Sequence, residues 1–490
     1  MLNAIKDESN KNYVRTENDA ATLASTGSEA LDFFAAAGAL RSARAAEIVV
    51  RFTRAFAEHP LYALRTLFYA RDVRGGLGER RLFRVLLRHL AFAAPASLEK
   101  NLKFVPGYGR WDDLLVLLDT PLEAAAVHLI RAQLEKDLRA AWEEQPVSLL
   151  AKWLPSVNTS SRVARRQARR LAILFGMREA DYRRMLVRLR RRIALIENAL
   201  RTRDYTFDYA KQPSKAMFKY RAAFWRNDVE RYKAFLERVA CGAEQLHTGT
   251  LYPYEIIRPL SAAVTPHIPQ EEARTLDVTW RALPDYTHGE NALVVLDGSG
   301  SMYWGGTPLP SSVALSLAIY FAERNTGAFH GHFITFSGNP RLVEIKGTTI
   351  VERVHYCKSF DEVANTNLEA VFRLLLRAAV KNRVPQEELP SVLYIITDME
   401  FDACTVDADV TNFERAKELF AEAGYALPRI VFWNVQSRRC QQPVRQNEQG
   451  VMLVSGCSPS IFSMVVDGRI TPYEYMEQVL GGERYAAITV

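Results

Sequence analysis

The chain has 490 residues, of which 48% are apolar and 24% charged, a balance that fits two to four globular domains and excludes a disordered or fibrous protein. No apolar run approaches the roughly 20 residues of a membrane span. The polar opening MLNAIKDESNKNYVRTEND lacks the apolar stretch of a signal peptide, so a cytoplasmic protein without membrane attachment is expected. The net charge of +7 is modest. Cys241, Cys357, Cys404, Cys440 and Cys457 are odd in number, widely spaced and free of a CxxC pattern, which fits a reducing compartment better than a disulfide framework.

Taken in order, residues 1–20 read as a flexible lead-in, and residues 21–283 as almost entirely helical. Helices are expected at Ser28–Leu40, Ala45–Ala57, Leu61–Tyr69 and Glu79–Phe92. They continue at Trp111–Leu118, Leu122–Gln145, Ser148–Leu154, Ser161–Phe175, Glu179–Leu200, Ser214–Phe224 and Asp228–Gly242. Pieces of this length joined by short turns suggest antiparallel pairs stacked as an α-solenoid, although no fixed-period repeat is present.

Residues 284–490 alternate strand and helix. Strands are expected at Ala292–Asp297, Phe329–Ser337, Leu342–Lys346, Ser391–Asp398, Arg429–Val435 and Val451–Ser455. Helices are expected at Ser311–Arg324, Thr349–Tyr356, Leu368–Val380, Thr411–Glu422, Pro459–Val466 and Pro472–Leu480. That alternation predicts a doubly wound parallel sheet, whose ligands sit beyond the carboxyl ends of the strands.

The basic character is local. Arg162 to Arg203 holds fourteen arginines, no lysine and three acids, so this stretch carries +11 and the remaining residues sum to −4. Arg162, Arg165, Arg166, Arg169 and Arg170 fall within one helical face of roughly 140°. Such a stripe suits phosphates and would lose affinity steeply with salt; it also fits a solvated face, or arginines paired with acids of neighbouring helices. Arg183, Arg184, Arg188, Arg190, Arg191 and Arg192 spread around their helix, so some must be structural. Lys211, Lys215, Lys219, Arg221 and Arg226 interleave with Tyr220, Phe224 and Trp225. That mixture suits single-stranded nucleic acid, yet aromatics at helical spacing are more often core. The RNA-binding candidates are Arg162, Arg165, Arg166, Arg169, Arg170, Arg184, Arg188, Arg191, Lys215 and Lys219.

The sheet half carries ALVVLDGSGSM, in which an apolar run stops at Asp297 and then presents Ser299 and Ser301. One carboxylate and two hydroxyls among glycines form an oxygen-only donor set suited to a hard cation. Taken alone, DxSxS also fits a strand-to-helix turn with a helix cap. Thr366, before a helix, and Asp398, ending a buried strand, bring the set to two carboxylates and three hydroxyls. Mg²⁺, or another divalent cation, suits them and would remain electrophilic enough to accept an acidic group from a protein partner.

DGSGSM, with Thr366 69 residues after Asp297 and Asp398 a further 32 on, resembles the metal-ion-dependent adhesion site of a von Willebrand factor A domain. The resemblance makes Asp297, Ser299, Ser301, Thr366 and Asp398 the metal ligands. Two departures stand out. Ala364 and Asn365 replace the usual glycines before the threonine, and Met399 and Glu400 follow the aspartate where glycine is usual.

The segments GSEALDFFAAAGALR, RDVRGGLGERRLFRVLL, VPGYGRWDDLL and PSKAMFKYRAAF, together with a C-terminal A domain, resemble the TROVE architecture of the Ro autoantigen RNA-binding proteins. The nearer resemblance is to an uncharacterised branch found in plants, bacteria and large DNA viruses, and it covers about residues 20–490. It implies a HEAT-like helical ring closed by the A domain, with structured small RNA on a basic outer surface and single-stranded RNA ends entering the ring. It carries over no individual RNA-contacting residue.

Several features are set aside. Gly75-Gly76-Leu77-Gly78 lacks the GK[ST] ending of a P-loop and reads as an inter-helix turn. Ser299 is not in a G-x-S-x-G frame. His330 and His332 share a strand face without metal-binding neighbours, and Asp112-Asp113 reads as a helix N-terminus. With no self-sufficient catalytic set, the expected function is non-catalytic RNA binding by a monomer, with the metal site serving a partner. The alternatives are a metal-dependent protein–protein adaptor on a helical scaffold, or a subunit docking on a catalytic partner.

Overall fold

The computed structural model describes residues 12–193, 195–261, 267–304, 306–337, 339–360, 367–401, 411–439, 441–465, 468 and 470–490. The chain opens with two short strands, β1 (Tyr13–Arg15) and β2 (Ala21–Leu23). Between Glu29 and Arg281 the described elements are helical. After them comes a six-stranded sheet of β3 (Ala292–Asp297), β4 (His332–Phe336), β5 (Leu342–Glu344), β6 (Val392–Thr397), β7 (Arg429–Asn434) and β8 (Val451–Ser455). The strands lie in the order β5-β4-β3-β6-β7-β8.

The sheet is mixed, not wholly parallel as the sequence suggested. β4 and β5 pair antiparallel, Phe333 opposite Val343, because the link between them is too short for a crossover. The other pairs are parallel. Side chains alternate across the sheet. Val294, Leu296, Tyr394, Ile396, Val431, Trp433 and Val454 face one core. Leu293, Val295, Leu393, Ile395, Ile430, Phe432 and Leu453 face the other, with the helices Leu368–Asn382 and Asn412–Glu422. Burial on both faces explains the uninterrupted apolar runs.

The first of these cores does not stop at the sheet. It continues through the helix Pro310–Arg324 into Phe34, Phe52, Leu67, Phe83, Leu114, Ile130, Leu171 and Leu189 of the helical half. Gly38 lies so close to β8 that a Cβ there would stand 2.5 Å from the Ser455 carbonyl, and its N–H donates to Ser455 Oγ at 2.9 Å. The opposite end of the helical half joins the sheet half as well. Trp280 Nε1 donates to Glu323 at 2.7 Å, and the Ile350 N–H to Asp277 at 3.0 Å.

Three further expectations are corrected. Residues 12–20 are not a loose lead-in: β1 pairs antiparallel with β2, and Leu23 exchanges backbone hydrogen bonds with Gln442 at 3.0 and 2.8 Å. The single helix expected over 179–200 is two, Glu179–Arg192 and Ile196–Thr202. The chain changes partners there: Leu189 belongs to the main core, and Ile196 to a separate cluster with Tyr209, Phe224 and Tyr232. Trp111–Leu117 is a 3₁₀ turn, in which buried Asp113 binds Arg71 at 2.8 Å and Arg84 at 2.6 Å.

Candidate metal centre and arginine face

β3 delivers Asp297 to the carboxyl end of the sheet, next to Thr397 at the end of β6. Asp297 Oδ2 accepts from Thr397 Oγ1 at 2.6 Å, and its Oδ1 accepts the Ser299 N–H at 2.8 Å. The chain then enters a 3₁₀ turn, Gly300–Tyr303, anchored by fully buried Met302. This turn brings Ser299 Oγ and Ser301 Oγ to 2.8 Å from one another.

Asp398 follows Thr397 and is buried beside Asp297. Its Oδ1 accepts the Glu400 N–H at 3.3 Å, whereas its Oδ2 is buried and accepts no hydrogen bond. Burial, with the neighbouring Asp297 charge added, pushes its carboxyl up to about 6, against the opposing pull of the Ser301 hydroxyl and Arg438. Two adjacent buried carboxylates, one with an orphaned oxygen, and two hydroxyls form a donor set that suits a divalent cation. Among the described residues no three His, Cys, Asp or Glu side chains converge on a metal position, so hydroxyls would have to complete this set. Thr366, the remaining ligand candidate, lies outside the described residues.

Met399 has φ of 67°, in the left-handed region. The sequence departs from glycine at the position where the backbone would favour one. Hydrogen bonds hold the strained residue: its N–H donates to Thr397 Oγ1 at 3.1 Å, and its carbonyl accepts from Gln441 at 3.2 Å. Glu400 points into the protein and accepts the Glu17 N–H at 2.8 Å; burial raises its carboxyl. Arg438 links Glu17, at 2.9 Å, to the Ser301 carbonyl, also at 2.9 Å. The sequence places Thr397 with Asp398 at a strand end beside the Asp297 loop, and the fold agrees; it missed Arg438 and Glu17, because only the fold brings them to the loop.

The arginine stretch resolves into distinct roles. On the helix Arg162–Leu174, Arg170 pairs with Asp119 at 2.9 Å and Glu123 at 2.6 Å, and Arg169 pairs with Glu179 at 3.2 Å. Arg165 donates to the carbonyls of Thr159 and Ser160. The stripe is thus tied down at one end by acids of other elements, while exposed Arg162 and Arg166 have no acid partner among the described residues.

On Glu179–Arg192, Arg190 is structural. It donates to the carbonyls of Ala151 and Leu154 at 2.8 and 2.6 Å and to Ser156 Oγ at 2.6 Å. Arg178 and Arg184 both pair with Asp181, and Arg192 with Glu144. Arg183, Arg188 and Arg191 are exposed on one face of this helix, without an acid partner among the described residues. Lys215 binds Glu255 at 2.9 Å, so its charge is paired, whereas exposed Lys219 donates to the neutral Tyr220 hydroxyl at 3.1 Å, a bond that leaves its charge in place. Phe224 and most of the neighbouring rings are core.

His330 and His332 bond backbone carbonyls. Gly75 to Gly78 form a turn between helices, in which a Cβ on Gly76 would collide with the Tyr69 carbonyl. Among the described residues Cys241, Cys357 and Cys457 are in no disulfide; Cys404 and Cys440 lie outside the described residues. Among the described residues no helix is long and apolar enough to cross a membrane.

Residues 16–127 and 158–288 match a family described as a domain of unknown function (DUF2828), and residues 291–484 match a second one (DUF7788). An uncharacterized protein of Acanthamoeba polyphaga mimivirus is 27% identical over 92% of this chain and 84% of its own length. Among solved structures, the Deinococcus radiodurans RO (RSR) protein aligns at 14% identity with a TM-score of 0.48, covering 93% of this chain and 100% of that one, a likeness too distant to transfer a function. The helical half is thus similar to one family without an assigned function and the sheet half to another, the first match ending at residue 288 and the second beginning at residue 291.

Proposed function

We propose that the chain is a non-catalytic RNA-binding protein whose contact surface is the exposed arginine face of Glu179–Arg192. The observation that carries this reading is the group Arg183, Arg188 and Arg191, three exposed guanidiniums without acid partners among the described residues. Three exposed cations on one helical face, without acids among the described residues to offset them, make an anionic ligand the natural complement. The likeness of the helical segments to TROVE sequences supports the same reading, including an arc of helices closed by the sheet half. Purified protein should bind structured small RNA at low salt, and affinity should fall about 10³-fold or more between 50 and 200 mM salt if six or more phosphates are contacted. Reversing Arg183, Arg188 and Arg191 to Glu should weaken binding and flatten the salt dependence. Unchanged binding and slope would remove this face from the interface.

We further propose that the sheet half is a von Willebrand factor A-like domain, in which Asp297, Ser299, Ser301 and Asp398, with Thr366, hold Mg²⁺. The orphaned Asp398 oxygen supports this reading. A bound cation would offer an open position to a carboxylate of a protein partner. Mg²⁺ should raise the melting temperature of the wild type and leave Asp297→Ala unmoved; equal shifts in both would rule the site out.

A further inference from the structure

Trp142 ends the helix Glu123–Trp142 and is 77% exposed, an unusual position for so large an apolar ring. It stands against the arginine face. The Arg188 guanidinium lies over the indole, 5.4 Å from the ring centroid. Arg192, one turn further along, donates to the carbonyl of Ala141 at 3.3 Å and pairs with Glu144 at 3.3 Å, which ties the end of the tryptophan's helix to the arginine helix. Val187, on the same face as Arg183 and Arg191, is also exposed. The surface therefore combines a planar apolar ring, a guanidinium stacked on it and further unpaired cations. Phosphate attraction needs only the cations. The exposed ring calls for a ligand with a flat, unpaired π-face.

We propose that Trp142 and the arginine face together form a site for single-stranded RNA, with an unpaired base stacked on the indole and the flanking phosphates on Arg183, Arg188 and Arg191. This rests on the RNA-binding reading above and adds a strand preference to it. In a duplex the bases are already stacked on one another, so duplex RNA meets the arginines and gains nothing from the ring. Arg188 belongs to both parts: its guanidinium charges the phosphate track and covers part of the indole, holding the ring in place for stacking.

The test compares the full-length wild type and variants by fluorescence anisotropy, using a labelled single-stranded RNA of about 12 nucleotides and a blunt duplex of the same length. Trp142→Ala should weaken single-strand binding about tenfold, leave duplex binding within about twofold and preserve the salt slope. Trp142→Phe should retain most of the single-strand affinity. Because the side chain is exposed, the variants should keep the wild-type melting temperature. Arg183→Glu combined with Arg191→Glu should weaken both RNAs and flatten the salt slope. If the wild type binds RNA and Trp142→Ala leaves single-strand binding unchanged, or weakens both RNAs alike, the stacking site is wrong and the RNA-binding reading stands. If the wild type binds neither RNA at low salt, both are wrong. If polyglutamate competes as well as the oligonucleotide does, the face belongs to an acidic protein partner and the stacking site is likewise overturned.

Discussion

Asp398 combines two costs that a protein rarely accepts together, a buried carboxylate beside another carboxylate and an oxygen with no donor. Its folded-state pKa is raised from 3.8 to about 6. A carboxyl with a raised pKa binds its proton more tightly in the folded state than in the unfolded one, so its contribution to stability falls as pH rises between these two values and is level outside them. A divalent cation held as proposed would bind the ionised form and oppose that fall. The gap in melting temperature between samples with Mg²⁺ and with EDTA should therefore widen from about pH 5 to pH 7, and Asp398→Asn should abolish the widening. A gap that is constant with pH would separate Asp398 from the cation. The grouping of Asp297, Ser299 and Ser301 was legible in the sequence because they sit within one loop. Arg438 and Glu17 were not legible as its neighbours, since they arrive from a distant loop and the opposite end of the chain. Met399 shows a subtler limit: its left-handed backbone is imposed by hydrogen bonds from either side, and nothing in its side chain announces that.

At the scale of the element, the helix Glu179–Arg192 assigns opposite work to arginines of the same composition. Arg190 turns inward and caps the carbonyl end of Leu150–Trp153, while Arg183 faces solvent. Arg190→Ala leaves two carbonyls and a hydroxyl without their charged donor and should cost about 2–3 kcal/mol, read as a lower urea midpoint. Arg183→Ala should stay within about 0.5 kcal/mol of wild type and show its effect only in RNA affinity. Equal destabilisation by both would mean that the two arginines share a structural role. The alternation of apolar residues revealed the helices and strands themselves, including the buried strands of the sheet. It could not reveal which arginines are used up, because the acids that pair with Arg169 and Arg170, and the carbonyls that hold Arg190, come from other elements. The break before Ile196 escaped for a similar reason: the helical pattern continues across it, and only the change from one hydrophobic cluster to another marks it.

At the scale of the molecule, the change from helices to alternating strands near residue 284 suggests two domains, yet the packing joins them. One face of the sheet and the first helices share a single core. Phe34 meets Tyr475 edge-to-face, with centroids 6.0 Å apart, and Tyr69 meets Tyr485 in the same way at 5.9 Å. Buried Asp72 pairs with Arg484 and accepts a hydrogen bond from the Tyr485 hydroxyl at 3.1 Å. Residues after β8 thus complete the helical half, and the hairpin β1–β2 lies against the sheet half. Cooperative unfolding follows from a shared core, because neither half can open without exposing the apolar face of the other. The intact chain should therefore melt in one calorimetric transition, with the van't Hoff enthalpy close to the calorimetric one. A fragment of residues 289–490 expressed alone should be insoluble or bind a hydrophobic dye, since Tyr475, Leu480 and Tyr485 would lose the helices that cover them. Co-expression with residues 12–288 should restore a soluble complex. Two well-separated transitions in the intact chain, or a monomeric fragment as stable as the whole, would show that the shared core contributes little, and that the sheet half can turn or detach on the helical half when it binds a partner.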